Sequence, residues 1–378
     1  MTSAILGCVI VGVLALLGGR ADAYPQFQLS RDATCTGCHL SPAGGNLLNE
    51  NGLATAESTS QFGTAPEFFY GKVPTPDWLV LGGDLRGASG FLATPEKVVA
   101  SFPMQIELYG AATFAKSFSL HVNFGPRPST VGNEAATSVW SREHYLMWQQ
   151  NAGENEGLYI RAGRFMPVIG LRLAEHPVYT RRYGGNQLYA DTYGVAVEYV
   201  TAAFEAHATG FIKDPVIDPV EPYSGGAGYA EYRVTANAAV GIEGMAEIGA
   251  DDRRFRGGVT GKLYVSGLDL LFQAELQFMN QLIDETPTNP TGGAPQAFIG
   301  YLLVSRMLGD AVLLDVGLGH YDANRRIAEN ERDCVDVNLH WFTTSHLELV
   351  LNTRYEAIGF GQGGEAGGYA IVQAHYRL

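Results

Sequence analysis

From Trp78 to the C-terminus, apolar and polar residues alternate with a period of two, in segments of the ~10-residue length that spans a bilayer as a strand. Between Phe102 and Phe114, the residues Phe102, Met104, Ile106, Leu108 and Phe114 share one face, while Gln105, Glu107 and Thr113 share the other. Phe118, Leu120, Val122 and Phe124 alternate in the same way with Ser117, Ser119, His121 and Asn123. A period of two is that of an extended chain, whose successive side chains point to opposite sides. The pattern predicts further strands at Leu79–Leu92, Val139–Gln150, Leu158–Phe165, Tyr189–Val200, Phe204–Lys213, Gly228–Thr235, Ala238–Gly249, Phe255–Val265, Leu268–Gln281, Gln296–Leu308, Ala311–Tyr321, Arg332–Phe342, His346–Tyr355 and Tyr369–Leu378. Together they make about 16 strands, an even number.

Alternation alone suits a soluble sandwich as well as a barrel, and the connections decide between them. Read in order, they run long, short, long, short. Ala115-Lys116, Thr201-Ala202, Ala236-Asn237, Ser266-Gly267 and Gly309-Asp310 are short, whereas 125–138, 166–188, 214–227, 283–295, 322–331 and 356–368 are long. Short turns on one rim, long loops on the other and an even strand count describe an antiparallel outer-membrane β-barrel. From a periplasmic N-terminus, that parity puts the short turns on the periplasmic side and returns the C-terminus there.

Composition agrees. Charged residues are 17% of the 378, glycines number 47, and Tyr (19) and Phe (18) far exceed Met (7). No stretch beyond the N-terminus reaches the ~18 consecutive apolar residues of a spanning helix. The formal charge of −14 argues against nucleic acid as a partner, because phosphates are repelled. At the N-terminus, the apolar run Ala4–Leu17 followed by Ala21-Asp22-Ala23 reads as a signal peptide of residues 1–23. The mature chain then splits into a segment of residues 24–77 and the barrel of residues 78–378.

The segment carries Cys35-Thr36-Gly37-Cys38-His39. CxxCH is the attachment signal of c-type haem. Two thiols at this spacing reach the two vinyl groups of one porphyrin edge, and the adjacent His becomes an axial ligand of the iron. One covalent haem c on Cys35 and Cys38, with His39 as proximal ligand, is therefore expected. Zinc would need two further ligands nearby, and none has the spacing. A thioredoxin-like pair would need a βαβ context, which is absent. The rest of the segment reads as loop: Ser41-Pro42, Gly44-Gly45, Asn49, Gly52, the polar run Thr55–Gln61, then Pro66, Pro74 and Pro76. About fifty residues are too few for a core of their own, so the haem piece needs a host, and folding into the lumen as a plug is the expected arrangement. The segment has no Met and no His but His39. A distal ligand would come from the barrel, with His121 and Met147 singled out and His207, His340, His346 and His375 also facing inward by parity. Cys334 reads as a strand residue.

The same parity points Glu107, Glu143, Glu205, Glu243, Glu247, Asp269, Glu275, Asp336 and Glu348 into the lumen, offset by Arg254, Arg256 and Lys262. Such a lining favours cations. The loop acids Asp251-Asp252, Asp284-Glu285 and Glu329–Glu331 read as solvated tips. Nothing resembles a hydrolytic triad or a phosphate-binding glycine loop.

The layout of signal, single CxxCH and barrel, with Phe27, Arg31, Cys35, Cys38, His39, Pro42, Leu48-Asn49 and Gly52, resembles the fused monohaem cytochrome-porins of the outer membrane, best known from iron-oxidising bacteria. The resemblance implies transfer of electrons from extracellular Fe(II), or another extracellular donor, through the haem to a periplasmic carrier. It departs from the family at Leu53-Ala54-Thr55-Ala56, where a basic and aromatic stretch is usual. The alternative is a diffusion porin in which the haem segment is a structural plug. A homotrimer is compatible with either reading.

Overall fold

In a computed structural model the protein is described at residue 29 and over residues 34–45, 47–93, 97–129, 136–175, 177–185, 187–215, 222–285, 292–359 and 366–378. The expected signal peptide, Phe27 and Arg31 lie outside the described residues. Seventeen strands are described: β1 (Leu79–Ala93), β2 (Val98–Phe114), β3 (Phe118–Ser129), β4 (Ala136–Trp140), β5 (His144–Gln149), β6 (Gly157–Phe165), β7 (Thr192–Val200), β8 (Phe204–Ile212), β9 (Ser224–Thr235), β10 (Ala238–Ile248), β11 (Asp252–Val265), β12 (Leu270–Ile283), β13 (Gln296–Met307), β14 (Val312–Asp322), β15 (Glu331–Phe342), β16 (Leu347–Ile358) and β17 (Ala366–Arg377). All pairings are antiparallel and join strands consecutive in sequence, except that β5 pairs with β3 rather than β4, and β17 returns to β1, from Asp84 opposite Arg377 to Ala93 opposite Gly368. The sheet closes, which removes the two terminal edges of an open sheet.

Strands β4 and β5 both pair with β3 and form one stave of the wall, broken at Ser141–Glu143. The barrel therefore has sixteen staves, as expected. The break is repaired locally. Asn123 accepts from the Glu143 amide at 2.7 Å, and one Nη1 of Arg164 donates to the carbonyls of Ser141 and Arg142 at 3.0 and 2.9 Å. Carbonyls that the ladder abandons are thus satisfied by a guanidinium.

The alternation runs in the reverse sense to that of a soluble protein. Along β15, Val335, Val337, Leu339 and Trp341 are 36–39% exposed, whereas Asp336, Asn338 and His340 between them are 2–6% exposed. The outside is apolar and the inside polar, the distribution of a barrel that sits in lipid. Some connections depart from the expected long–short rhythm. On the long-loop rim, β10 and β11 are joined by Gly249–Asp251 alone, closed by the Gly249 amide on the Asp252 carbonyl at 2.8 Å. On the other rim, β5 and β6 are joined by the seven residues 150–156.

Replacing Val337 with Arg puts a charge at mid-strand on the apolar exterior. The barrel should lose about 2–4 kcal/mol of stability, read as a lower midpoint of its heat-induced band shift on denaturing gels, while Leu→Ile at position 339 should leave the midpoint in place.

Candidate functional site

The CxxCH turn is built by local hydrogen bonds. Cys35–Gly37 forms one 3₁₀ turn, with the Cys38 and His39 amides both on the Cys35 carbonyl. Residues Glu50–Thr59 then form α1, where the sequence reads as loop. The physical reason is its cap: Asn49 Oδ1 accepts from the Gly52 amide at 2.9 Å, and Glu50 sits in the first turn, where the helix dipole favours an acid. The cap also clamps the CxxCH turn. Asn49 Nδ2 donates to the Thr36 carbonyl and Asn51 Nδ2 to the Gly37 carbonyl, both at 2.8 Å, while the Asn49 amide donates to the Cys38 carbonyl at 3.0 Å. A Cβ on Gly52 would collide with the Cys38 carbonyl, which explains a glycine at this position of the Leu48-Asn49-x-x-Gly52 tail.

Cys35 and Cys38 form no disulfide. Burial pushes the Cys35 thiol above its ordinary range. Burial also lowers the His39 imidazole to about 4, against the opposing pull of the Gly45 and Leu47 carbonyls, so the ring is neutral and its lone pair free for a metal. His39 Nδ1 is buried without a hydrogen-bond partner. All three residues open on a cavity of about 1130 Å³ inside the barrel.

The segment is tied to the short-turn rim. The Gln61 and Phe62 amides donate to the Phe342 and Thr343 carbonyls at 2.9 and 3.1 Å, Ser345 Oγ donates to the Thr64 carbonyl at 2.6 Å, and Trp341 Nε1 donates to Gln61 Oε1 at 2.6 Å. Leu29 packs with Ala239 and Leu271 of the wall.

A second element enters the lumen, and the sequence reading took it for an ordinary long loop. Between β6 and β7, Val168, Ile169, Leu171, Leu173, Val178 and Tyr179 are all at most 3% exposed, and Tyr179–Arg182 makes a helical turn, α2. The Leu171 amide donates to Glu275, Arg172 pairs with Glu205, Tyr179 donates to Glu356 at 2.8 Å, and Arg354 holds the Pro177 carbonyl at 2.7 Å. The loop is laced to opposite walls. Its apolar residues, a signal present in Met166–Leu173, could have marked it as buried.

Of the acids expected to face inward, Glu107, Glu205, Glu243, Glu247, Glu275, Asp336 and Glu348 are buried on the lumen side. Glu143, in the break between β4 and β5, also faces inward and lines the cavity, and Asp269 lies in the turn before β12, taken by Tyr264 at 2.6 Å. Further acids, Asp84, Glu198, Glu231 and Asp315, and further bases are buried with them, and many of these charges pair with one another. Arg161 grips Glu198 with two bonds of 2.9 and 2.8 Å, Arg354 grips Asp336 at 2.6 and 2.8 Å, Lys262 pairs with Glu231 at 2.7 Å, Arg142 with Glu107 at 3.0 Å, and Arg256 with Glu247. Arg254 stays half-buried on Asp252, and the loop acid Asp284 pairs with Arg253 at 3.1 Å.

Neither His121 nor Met147 lines the cavity. His121 bonds Ser119 at 2.9 Å and stacks on Tyr145, and Met147 packs with Tyr159 and Phe165. His207 is held by Glu198 at 3.0 Å and lies off the cavity too. His340, His346 and His375 do line it, but each is already engaged: His340 by Glu348 at 2.8 Å, His375 by Asp84 at 2.7 Å, and His346 by the Arg377 and Ala65 carbonyls, both at 2.7 Å. Met104 and Met166 line the cavity as well. Among the described residues no three His, Cys, Asp or Glu side chains converge as a metal site. Cys334 is, as expected, a strand residue, packed with Tyr179 and Ile299.

Two substitutions test this geometry. Gly52→Ala should free the 34–66 segment, seen as faster proteolytic cleavage there with the barrel's own resistance unchanged. Glu198→Ala strands Arg161 and His207, both buried, and should cost about 3–5 kcal/mol, measured by the same heat-induced band shift.

No protein-family model matches the chain, and no curated protein sequence does. Solved structures do. An anion-selective porin from Comamonas acidovorans superposes with a TM-score of 0.60 at 13% identity, over 79% of this chain and 99% of that one. The trimer form of OmpT, an outer membrane protein of Vibrio cholerae, gives 0.59 at 15% identity over 79% and 99%. OprB of Pseudomonas putida at high pH gives 0.57 at 11% identity over 79% and 94%. At such identities the likeness is one of architecture, and the chain has the closed sixteen-stave barrel fold of the porins.

Proposed function

We propose that the protein is an outer-membrane porin-type barrel whose lumen carries one c-type haem, joined to Cys35 and Cys38 and ligated by His39. The observation that carries this reading is the convergence of these three residues on a single cavity enclosed by the barrel wall. The residues fit the group: two thiols on one turn, a neutral buried imidazole, and enclosed space of the order that ligand pockets offer. When bound, a haem there supplies one-electron exchange between an outside donor, Fe(II) by the family resemblance, and a periplasmic carrier. The chain's own part is positional. Asn49, Asn51 and Gly52 hold the CxxCH turn in shape, the 343–346 turn fixes the segment at one rim, and residues 168–173 close over the lumen from the other side. Arg172, next to the Cys35 thiol by their mutual electrostatic influence, sets positive charge beside the attachment point. Met104 and Met166 line the cavity, whereas His121 and Met147 do not, so a second ligand from a methionine would come from one of the former.

A second reading, a diffusion porin in which the segment is a structural plug, is favoured by the solved neighbours, one of which is an anion-selective porin. A trimer is consistent with the OmpT form of that kind. One experiment separates the two. Protein purified from outer membranes of a cytochrome-maturing host should give a c-type spectrum that Fe(II) reduces anaerobically within seconds, and Cys35→Ala with Cys38→Ala should abolish it. A spectrum reduced only by dithionite, together with ion conductance in planar bilayers, would leave the porin reading standing.

A further inference from the structure

Among the described residues most buried acids of the wall meet a base, but Glu243 and Glu275 do not. Glu107, Glu198, Glu205, Glu231, Glu247, Asp336 and Glu348 each meet an arginine, lysine or histidine. Glu243 on β10 is 8% exposed, and its hydrogen-bonding contacts are with Gln277 and Glu275, neither of them a base. It faces Glu275 on β12, which is 3% exposed and held by neutral donors, the Leu171 amide at 3.1 Å, Gln277 Nε2 at 2.6 Å and the Thr180 hydroxyl. Gln277 leaves its own Oε1 unpartnered. The base in this part of the wall, Arg256, is committed to Glu247.

The two carboxylates share one small space. A Cβ on Gly170 would strike Glu275 Oε1 and stand 2.9 Å from Glu243 Oε2, and a Cβ on Gly258 would strike Glu243 Oε1. Gly170 also has φ of +65°, so glycine is required there for the backbone as well as for the space. Removing two carboxylates from water with no counter-charge costs several kcal/mol per ion. Such a pair is relieved either by sharing a proton or by holding a cation.

We propose that Glu243 and Glu275, beneath Gly170, form a binding site for a hydrated divalent metal cation in the lumen. The charge of the pair matches a divalent ion, and an all-oxygen set suits hard cations of the Mg²⁺, Mn²⁺ and Fe²⁺ type, which are held by one or two carboxylates and keep several waters. Two protein carboxylates without a third make a weak, exchangeable site, as passage through a lumen requires. The place is consistent with the electron-transfer reading, on which the assignment of Fe²⁺ as the natural ion rests. Glu275 holds Leu171, and the next residue, Arg172, acts electrostatically on the Cys35 thiol, so the carboxylate pair and the CxxCH turn are linked through neighbouring residues of the in-folded loop.

The test uses Mn²⁺, which needs neither haem nor Fe(II) oxidation, so its outcome is independent of the spectroscopic experiment above. The full chain in detergent is titrated while the electron paramagnetic resonance signal of free Mn²⁺ is followed. One Mn²⁺ per chain should bind, displaced by excess Mg²⁺, and Glu243→Gln and Glu275→Gln should each weaken it at least tenfold, with Asp251→Asn on the loop rim unchanged. Gly170→Ala, which leaves every strand intact, should weaken it too and serves if the barrel-wall variants fail to fold. Absence of binding to the unaltered chain, or equal binding by all variants, overturns the site and leaves a carboxyl pair that shares a proton.

Discussion

Closure of the ladder is the constraint on which the rest depends. Once β17 pairs with β1, the backbone of the wall is satisfied mainly by its own ladder, and the side chains are left to sort themselves to two sides. The outside takes Val, Leu, Ile and Phe, and the inside takes nearly all the charge. Such charge is not left to bulk water, because described residues of the 34–66 segment and of the 166–191 loop enter the lumen. The acids and bases are therefore forced on one another. Arg161 with Glu198, Arg354 with Asp336 and Lys262 with Glu231 are consequences of closure, and Glu243 with Glu275 marks the place where the self-neutralisation stops.

The same enclosure explains how fifty residues without a core adopt a defined shape. The CxxCH turn borrows its rigidity from α1, through side-chain amides that hold backbone carbonyls, and its apolar contacts from the wall. Leu47 packs against Gly82, so that a Cβ there would stand 3.1 Å from Leu47 Cδ2, and Ser41 reaches Tyr145. Hydrogen bonds are stronger in such surroundings than at a surface, and unpartnered polar groups are costlier. An Asn at position 49 thus does two things at once: it caps a helix and freezes the turn before it.

The strands were legible because a period of two survives any detail of packing, and because lipid on one side and charge on the other make the contrast large. Sixteen segments read from residues 79–378 correspond to sixteen staves, with only the break at Ser141–Glu143 hidden inside one of them. The helix at Glu50–Thr59 was not legible as such. Its Thr and Ser content reads as loop, and only the Asn49 cap, with Glu50 after it, argued otherwise. The in-folded loop was missed for a different reason. Connection length says that a loop is long but not where it goes, and its direction depends on partners such as Glu275 and Glu356 more than a hundred residues away. The CxxCH motif announced a cofactor chemistry, yet the residues around its cavity could not be named by parity alone. Parity gives the side of the wall on which a side chain lies, not its height, and His121 and Met147 face inward without reaching the space beside His39.

The seam itself shows how the charge network and the segment are joined. His340 bonds Glu348 at 2.8 Å, Glu348 bonds His375 at 3.1 Å, His375 bonds Asp84 at 2.7 Å, and Asp84 takes the Tyr109 hydroxyl at 2.7 Å, so one chain of hydrogen bonds runs from β15 through β16, β17 and β1 to β2. It crosses the β17–β1 junction, where the last strand of the barrel has to find the first and where covalent connection gives no help. Beside it, His346 bridges the carbonyl of Arg377, at the end of β17, to that of Ala65, at the end of the segment. Docking of the segment and closure of the barrel therefore share a residue. Each arrangement favours the other, and the cavity that opens on Cys35, Cys38 and His39 takes its shape only when both are in place.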